Sequence, residues 1–149
     1  MLRHLNSKYA GAAITLTLLA IAGIIVAQGG IVRGDAEEED GLAVVWTSGD
    51  PDVAHRMALM YTHAAKTQGW FDEVNLIVWG PSQRLLAADK EVQQKIEEMA
   101  ADGVIVEACV VCAESYGLTD RLEELGLEVK AMGAPLSGHI KGDTDVITF

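Results

Sequence analysis

Cysteine is nearly missing from this chain, with two residues in 149. Two thiols cannot build a disulfide scaffold, and cysteine alone cannot supply the four ligands of a structural zinc. Histidine does not make up the shortfall. His4, His55, His63 and His139 show no close ligand spacing, and His55 and His63, eight apart, could share a helix face without sharing a metal. They read as solvated or partner-contacting side chains, and no metal is expected. Basic residues are also scarce, eleven Lys/Arg against twenty-two Asp/Glu, for a formal charge of −11. A surface so acidic cannot hold phosphates and excludes nucleic acid as a partner. Neither a G-x-G-x-x-G nor a Walker loop occurs, so a nucleotide site is only weakly supported and no cofactor is expected.

What the chain does have is apolar residues, half of the total. That suffices for one globular domain with a sizeable core, plus an appendage. The appendage comes first. Residues 1–28 hold Arg3, His4 and Lys8 and then an uncharged run from Ala10 to Ala27. Eighteen residues span roughly 27 Å as a helix, close to the hydrocarbon thickness of a bilayer. The segment reads as a membrane anchor through residues 10–27. Ala27-Gln-Gly29 offers a small-x-small site for the alternative of a cleaved signal peptide, and a buried soluble helix is the third reading. The basic N-terminal side places that end in the cytoplasm and the remainder outside it, in the periplasm, either membrane-anchored or cleaved and released there. Residues 29–41, with the run Asp35-Ala-Glu-Glu-Glu-Asp40, form a self-repelling acidic linker.

From residue 42 to 149 the pattern alternates. Leu42-Ala-Val-Val-Trp-Thr47 is an apolar strand, and Ser48-Gly-Asp-Pro-Asp52 supplies a turn, a helix cap and a proline near the first helical position. Val53, Met57, Met60, Tyr61 and Ala64 recur at helical spacing and mark an inner face, with the methionines as core filler. Val74–Trp79 is a second strand, Ser82 is a candidate cap for the helix after it, and Val92, Ile96 and Met99 form the inner face of a further helix that Gly103 ends. Leu127–Met132 and Asp145–Phe149 are the last two strands. Strands apolar on both faces and separated by helices imply a three-layer α/β/α sandwich around a mainly parallel five-stranded sheet.

Both cysteines fall at one point of that pattern. Gly103-Val-Ile-Val-Glu-Ala108 reads as a buried strand, Cys109 and Cys112 follow it, and helix takes over, with a break near Gly117 and a fresh cap candidate at Thr119. A thiol where a strand gives way to a helix faces unpaired backbone N–H groups, which favour thiolate. The carboxyl ends of parallel strands share one edge, where the crevice of such sheets lies. The expected pocket around Cys109 and Cys112 is therefore Trp46, Thr47, Ser48, Trp79, Gly80, Met132 and Gly133.

Trp46-Thr-Ser-Gly-Asp50, Leu76-Ile-Val-Trp-Gly-Pro-Ser82, Ala108-Cys-Val-Val-Cys-Ala-Glu-Ser-Tyr-Gly117 and Met132-Gly-Ala-Pro-Leu136 together resemble the DsrE/DsrF-like sulfur-relay proteins over Leu42 to Phe149. The resemblance implies a small α/β domain that assembles into trimers or hexamers, and a cysteine at the position of Cys109 that carries a persulfide. Cys112 is not part of the pattern common to the sulfur-transfer members, and their cytoplasmic setting departs from the export segment read here.

Three functions follow. In the first, Cys109 takes sulfane sulfur from a donor, protein or small sulfur species, and yields it to an acceptor thiol. Trp46 or Trp79 shields the persulfide, and Cys112 resolves it. In the second, Cys109 and Cys112 form a dithiol–disulfide pair, as a C-x-x-C at a helix start allows, although the flanking Trp and Pro of the thioredoxin arrangement are absent. In the third, the domain is a non-catalytic binding module and the cysteines are small buried hydrophobes.

Overall fold

The computed structural model describes residues 40–149, and the expectations for residues 1–28 and for most of the 29–41 linker lie outside them. Five strands form the sheet: β1 (Gly41–Trp46), β2 (Glu73–Val78), β3 (Ile105–Cys109), β4 (Glu128–Lys130) and β5 (Thr144–Thr148). All pairings are parallel, in the order β4-β3-β2-β1-β5. The helix α1 runs through Pro51–Val53, a π-helical turn Ala54–Ala58, and Leu59–Thr67. Then come α2 (Ser82–Ala88), α3 (Lys90–Ala101), α4 (Val110–Tyr116), α5 (Thr119–Glu124) and α6 (Gly133–Lys141). Among the described residues no helix is long and apolar enough to cross a membrane.

The strand order decides where the helices lie. From β1 to β4 the chain steps in one direction across the sheet, and from β4 to β5 it jumps back to the far edge. Because parallel crossovers are right-handed, the first three connections cover one face and the last covers the other. Two cores agree with this. On the first face Leu42, Val44, Trp46, Val74, Leu76 and Val78 pack against side chains of α1 to α5, among them Leu59, Leu86, Met99 and Leu122. On the second face Ala43, Val45, Ile77 and Cys109 pack against Met132 and Leu136, the latter from α6. The loops after β3 and β4 therefore leave toward opposite faces. That makes the β3/β4 boundary the switch point of the sheet, where ligands of such folds bind. Cys109 and Lys130 are register partners there.

Local sequence explains most of the helix ends. Asp50 caps α1 by accepting from the amides of Asp52 and Val53, with Pro51 at the first helical position. Asp89 does the same for Glu91 and Val92 at the start of α3. Gly117, at φ +66°, ends α4 in the left-handed region and separates it from α5.

Three expectations need correction. Met57 and Met60 are exposed, not core filler. The buried face of α1 is Ala54, Ala58, Leu59, Thr62 and Ala65. Alanines carry little weight in a hydrophobic pattern, yet small side chains let a helix sit close on a sheet. The face is thus offset from the one marked by the larger residues. Ser82 does not cap α2: its Oγ donates to Trp46 O at 2.7 Å and Trp79 O at 3.1 Å, and the cap position is Pro81. Thr119 is the first residue of α5 and not its cap, which is Leu118.

Candidate functional site around Cys109 and Cys112

Cys109 is the last residue of β3 and the residue before α4, only 3 % exposed. Its side chain turns to the second face, into an apolar group with Ile77 and Met132, and Trp79, Cys112 and Leu136 close around it half-buried. No helix-capping hydrogen bond reaches Cys109. The expectation that this thiol collects the first amides of the helix is therefore not met, because the side chain lies against the sheet. Cys112, one turn into α4, is the outer thiol. It is half-buried and packs against the apolar group that holds Cys109. Burial pushes the Cys112 thiol above its ordinary value, the nearby Gly80 backbone pulls the other way, and the neighbouring Cys109 adds to the rise. Both cysteines are free thiols.

The turn that presents Gly80 is held from beneath. Gly80 has φ +66°, which glycine adopts without strain. The Ser82 hydroxyl bonds already given tie the ends of β1 and β2 together. Gln83, wholly buried, extends the clasp to β3, donating from Nε2 to Val78 O at 3.1 Å and to Cys109 O at 3.0 Å. Its Oε1 and the Nε1 of Trp46 are buried with no hydrogen-bond partner among the described residues. One Ser-Gln dipeptide thus fixes three strand ends and the backbone of Cys109.

Of the expected pocket residues, Trp79, Gly80 and Met132 join the two cysteines, and Gly133 opens α6 beside Met132. Trp46 does not. It is wholly buried in the first-face core, across the sheet from the thiol, because side chains alternate along β1. Thr47 and Ser48 are also elsewhere. Their amides donate to Phe149 O at 2.8 and 3.3 Å, and Thr47 Oγ1 adds a bond of 2.8 Å, so this loop fastens the end of β5.

Sequence reasoning missed Gln83, Leu136 and an ion cluster. Glu107, 6 % exposed on the same face as Cys109, meets Lys130 Nζ at 2.5 Å, and Glu128 meets the same ammonium at 3.0 Å. Hydrogen bonds to Glu107 and then to Glu128 hold the Lys130 ammonium above the ordinary lysine range. The signal was a lone carboxylate inside an apolar strand, which demands a partner, and Lys130 is the one cation of the neighbouring strand. A cleft of about 610 Å³ lies between α1 and α3 and is lined by His55, Met60, His63 and Lys95 among others. None of the expected site residues lines it. His63 is not merely solvated: Asp102 lies 2.7 Å from its Nε2 and Lys95 Nζ lies 2.7 Å from its Nδ1.

The profile of the DsrE/DsrF-like family matches residues 40–149. The chain belongs to the DsrE/DsrF-like family. Among solved structures, a conserved protein of unknown function from Bacteroides thetaiotaomicron is similar, with 34 % identity and a TM-score of 0.70. The match covers 74 % of this chain and 95 % of that one. No curated protein matches. As a DsrE/DsrF-like domain the chain sits in a family associated with sulfur relay, whose members work with partner proteins. The solved relative adds fold without adding activity.

Proposed function

We propose that the domain is a sulfane-sulfur carrier that holds sulfur as a persulfide on Cys109. The observation that carries this reading is the placement of Cys109: a thiol at the switch point of the sheet, in an apolar group of Ile77, Met132, Trp79 and Leu136. In the loading step the Cys109 thiolate attacks the terminal sulfane sulfur of a persulfide or polysulfide donor. A new S–S bond forms, the donor's S–S bond breaks, and the donor leaves with the electron pair. In unloading, an acceptor thiolate takes the outer sulfur and Cys109 returns as thiolate. Little water reaches the sulfur, which limits hydrolysis of the persulfide between the two steps. Partners are a sulfur donor and an acceptor, protein or small molecule.

Mass spectrometry of the intact protein after exposure to inorganic polysulfide tests this. A gain of one or two sulfur atoms, lost in Cys109→Ser, is the expected result. The contact between Cys109 and Cys112 favours a second reading, a dithiol–disulfide pair. Its signature is loss of two hydrogens without sulfur gain. An unchanged mass overturns both and leaves a binding module.

A further inference from the structure

We propose that the cleft between α1 and α3 is a second site, in which the amine of Lys95 condenses with a small uncharged aldehyde or ketone while His63, held by Asp102, moves the protons. Neither cysteine lines this cleft, so the site is independent of the carrier reading.

Sequence spacing builds it. Met60, His63, Ala64 and Thr67 on α1 follow the interval i, i+3, i+4, i+7, and so do Glu91, Gln94, Lys95 and Glu98 on α3. Each set therefore forms one stripe along its helix. The stripe of α3 borders the buried set Val92, Ile96 and Met99, which holds the helix in place. Between them the two stripes enclose about 610 Å³, room enough for a small organic molecule.

Three side chains are joined in order here. Lys95 Nζ lies 2.7 Å from His63 Nδ1, and Asp102 Oδ2 lies 2.7 Å from His63 Nε2. An ammonium can only donate and a carboxylate can only accept, so the ring between them carries its one proton on Nε2. Nδ1 is then a base aimed at the Lys95 ammonium. A nucleophile within reach of a base, and the base oriented by a third group, is the arrangement that activates nucleophiles on many folds. The His63 side chain is only 18 % exposed, which strengthens its pairing with Asp102.

The chemistry closes without an oxidant or reductant. His63 takes a proton from the Lys95 ammonium and becomes an imidazolium held by Asp102. The freed amine attacks the carbonyl carbon, a C–N bond forms and the carbonyl electron pair moves to oxygen. A proton passes from nitrogen to that oxygen. His63 then returns its proton to the hydroxyl, which leaves as water, and Lys95 ends as a protonated imine. The lining chooses the substrate class. Glu91 and Glu98 face the cleft and repel carboxylates and phosphates, whereas Met60 and Ala64 offer apolar surface. Glu98 also meets Lys95 Nζ at 3.3 Å, but its side chain is half exposed and water screens the pair. His55 on α1 is the other titratable group of the lining.

The test incubates the full chain with propanal and cyanoborohydride, which traps the imine, and follows each lysine by peptide mass mapping. Lys95 is less exposed than Lys90 and Lys141, so labelling governed by access alone reaches it last. The expected result is the reverse, with Lys95 labelled at least ten-fold faster than either. His63→Gln can still accept from Lys95 but cannot take up its proton, and is expected to slow Lys95 labelling about a hundred-fold. Asp102→Asn is expected to slow it roughly ten-fold, with Lys90 and Lys141 unchanged in both variants. Glyoxylate, an anionic aldehyde, is expected to lose the preference for Lys95. Labelling of Lys95 no faster than that of Lys90 and Lys141 in the unmutated chain overturns the proposal, whether or not the variants fold. A His63→Gln chain as fast as wild type overturns the role of His63 as base, and a preference of Lys95 for glyoxylate overturns the substrate class.

Discussion

At the scale of single residues, the meeting of Cys109 and Cys112 in one apolar group was legible in their spacing, but which of them faces the sheet was not. Spacing says that two thiols three apart can meet. It does not say which one faces the sheet, because that depends on where β3 stops and α4 begins. Here Cys109 ends the strand, so its side chain follows the pleat and not the helix. The same alternation sends Trp46 to the opposite core, which no motif could reveal without the strand's register. For Cys112 the sign of the pH dependence follows from its raised pKa. The folded state keeps the proton longer than the unfolded chain does. This contribution to stability is fully present below the ordinary value of 9.0 and is lost as pH rises through the elevated folded value. In Cys109→Ser, where the coupling to a second thiol is gone but burial remains, alkylation of Cys112 is expected to have its midpoint above 9. Quenched alkylation over pH 7–11 measures it, and a midpoint below the ordinary value contradicts the burial argument.

At the scale of elements, strand identities, a helix cap within Ser48–Asp52 and the break near Gly117 were readable because each rests on a local rule. The inner face of α3, Val92, Ile96 and Met99, also came out as expected, since its apolar residues are large and regularly spaced. The inner face of α1 did not. Its buried positions are mostly alanine, and the π-helical turn Ala54–Ala58 interrupts the 3.6-residue period that the pattern assumes. The difference has a measurable consequence. Ala58, wholly buried against the sheet, leaves no room for a larger side chain. Ala58→Leu is expected to cost about 1–3 kcal/mol, whereas Met60→Lys, at an exposed position, stays within about 0.5 kcal/mol. Urea denaturation of the two variants separates the faces. The clasp between strand ends makes a companion prediction. Ser82→Ala leaves Trp46 O and Trp79 O without their buried hydroxyl donor and is expected to cost about 1–3 kcal/mol. The same change should also loosen the turn at Gly80, visible as faster amide exchange there. The clasp itself was hidden at the sequence level because it depends on Trp46 O and Cys109 O, main-chain carbonyls far along the chain.

At the scale of the whole molecule, two expectations from the sequence stand as proposals. The uncharged run Ala10–Ala27 after a basic start is proposed as a membrane anchor that places the domain outside the cytoplasm. Fractionation should recover the full-length chain with membranes, and recovery in the soluble cytoplasm contradicts it. The second proposal is a homo-oligomer, and the two faces of the sheet supply its physical motive. Helices α1 to α5 cover the first face, while among the described residues α6, nine residues long, is the one helix on the second. Apolar side chains there remain in water: Ile105 is 42 % exposed and Val146 is 36 % exposed, on strands at either side of the sheet, and Ile140 of α6 is 63 % exposed. From residue 42 onward the chain carries eight Lys/Arg against seventeen Asp/Glu, a net −9. Repulsion of that size opposes association unless the contact is largely neutral, which narrows the choice to such apolar positions. A chain beginning at residue 40 should therefore run as a trimer or hexamer in light scattering at micromolar concentration. Ile105→Lys, placed on the solvent side of β3, should shift the mass toward monomer with the circular dichroism unchanged, because nothing in the core depends on that side chain. A strict monomer in the unmutated protein removes the proposal, and an oligomer that tolerates the lysine moves the interface to another face.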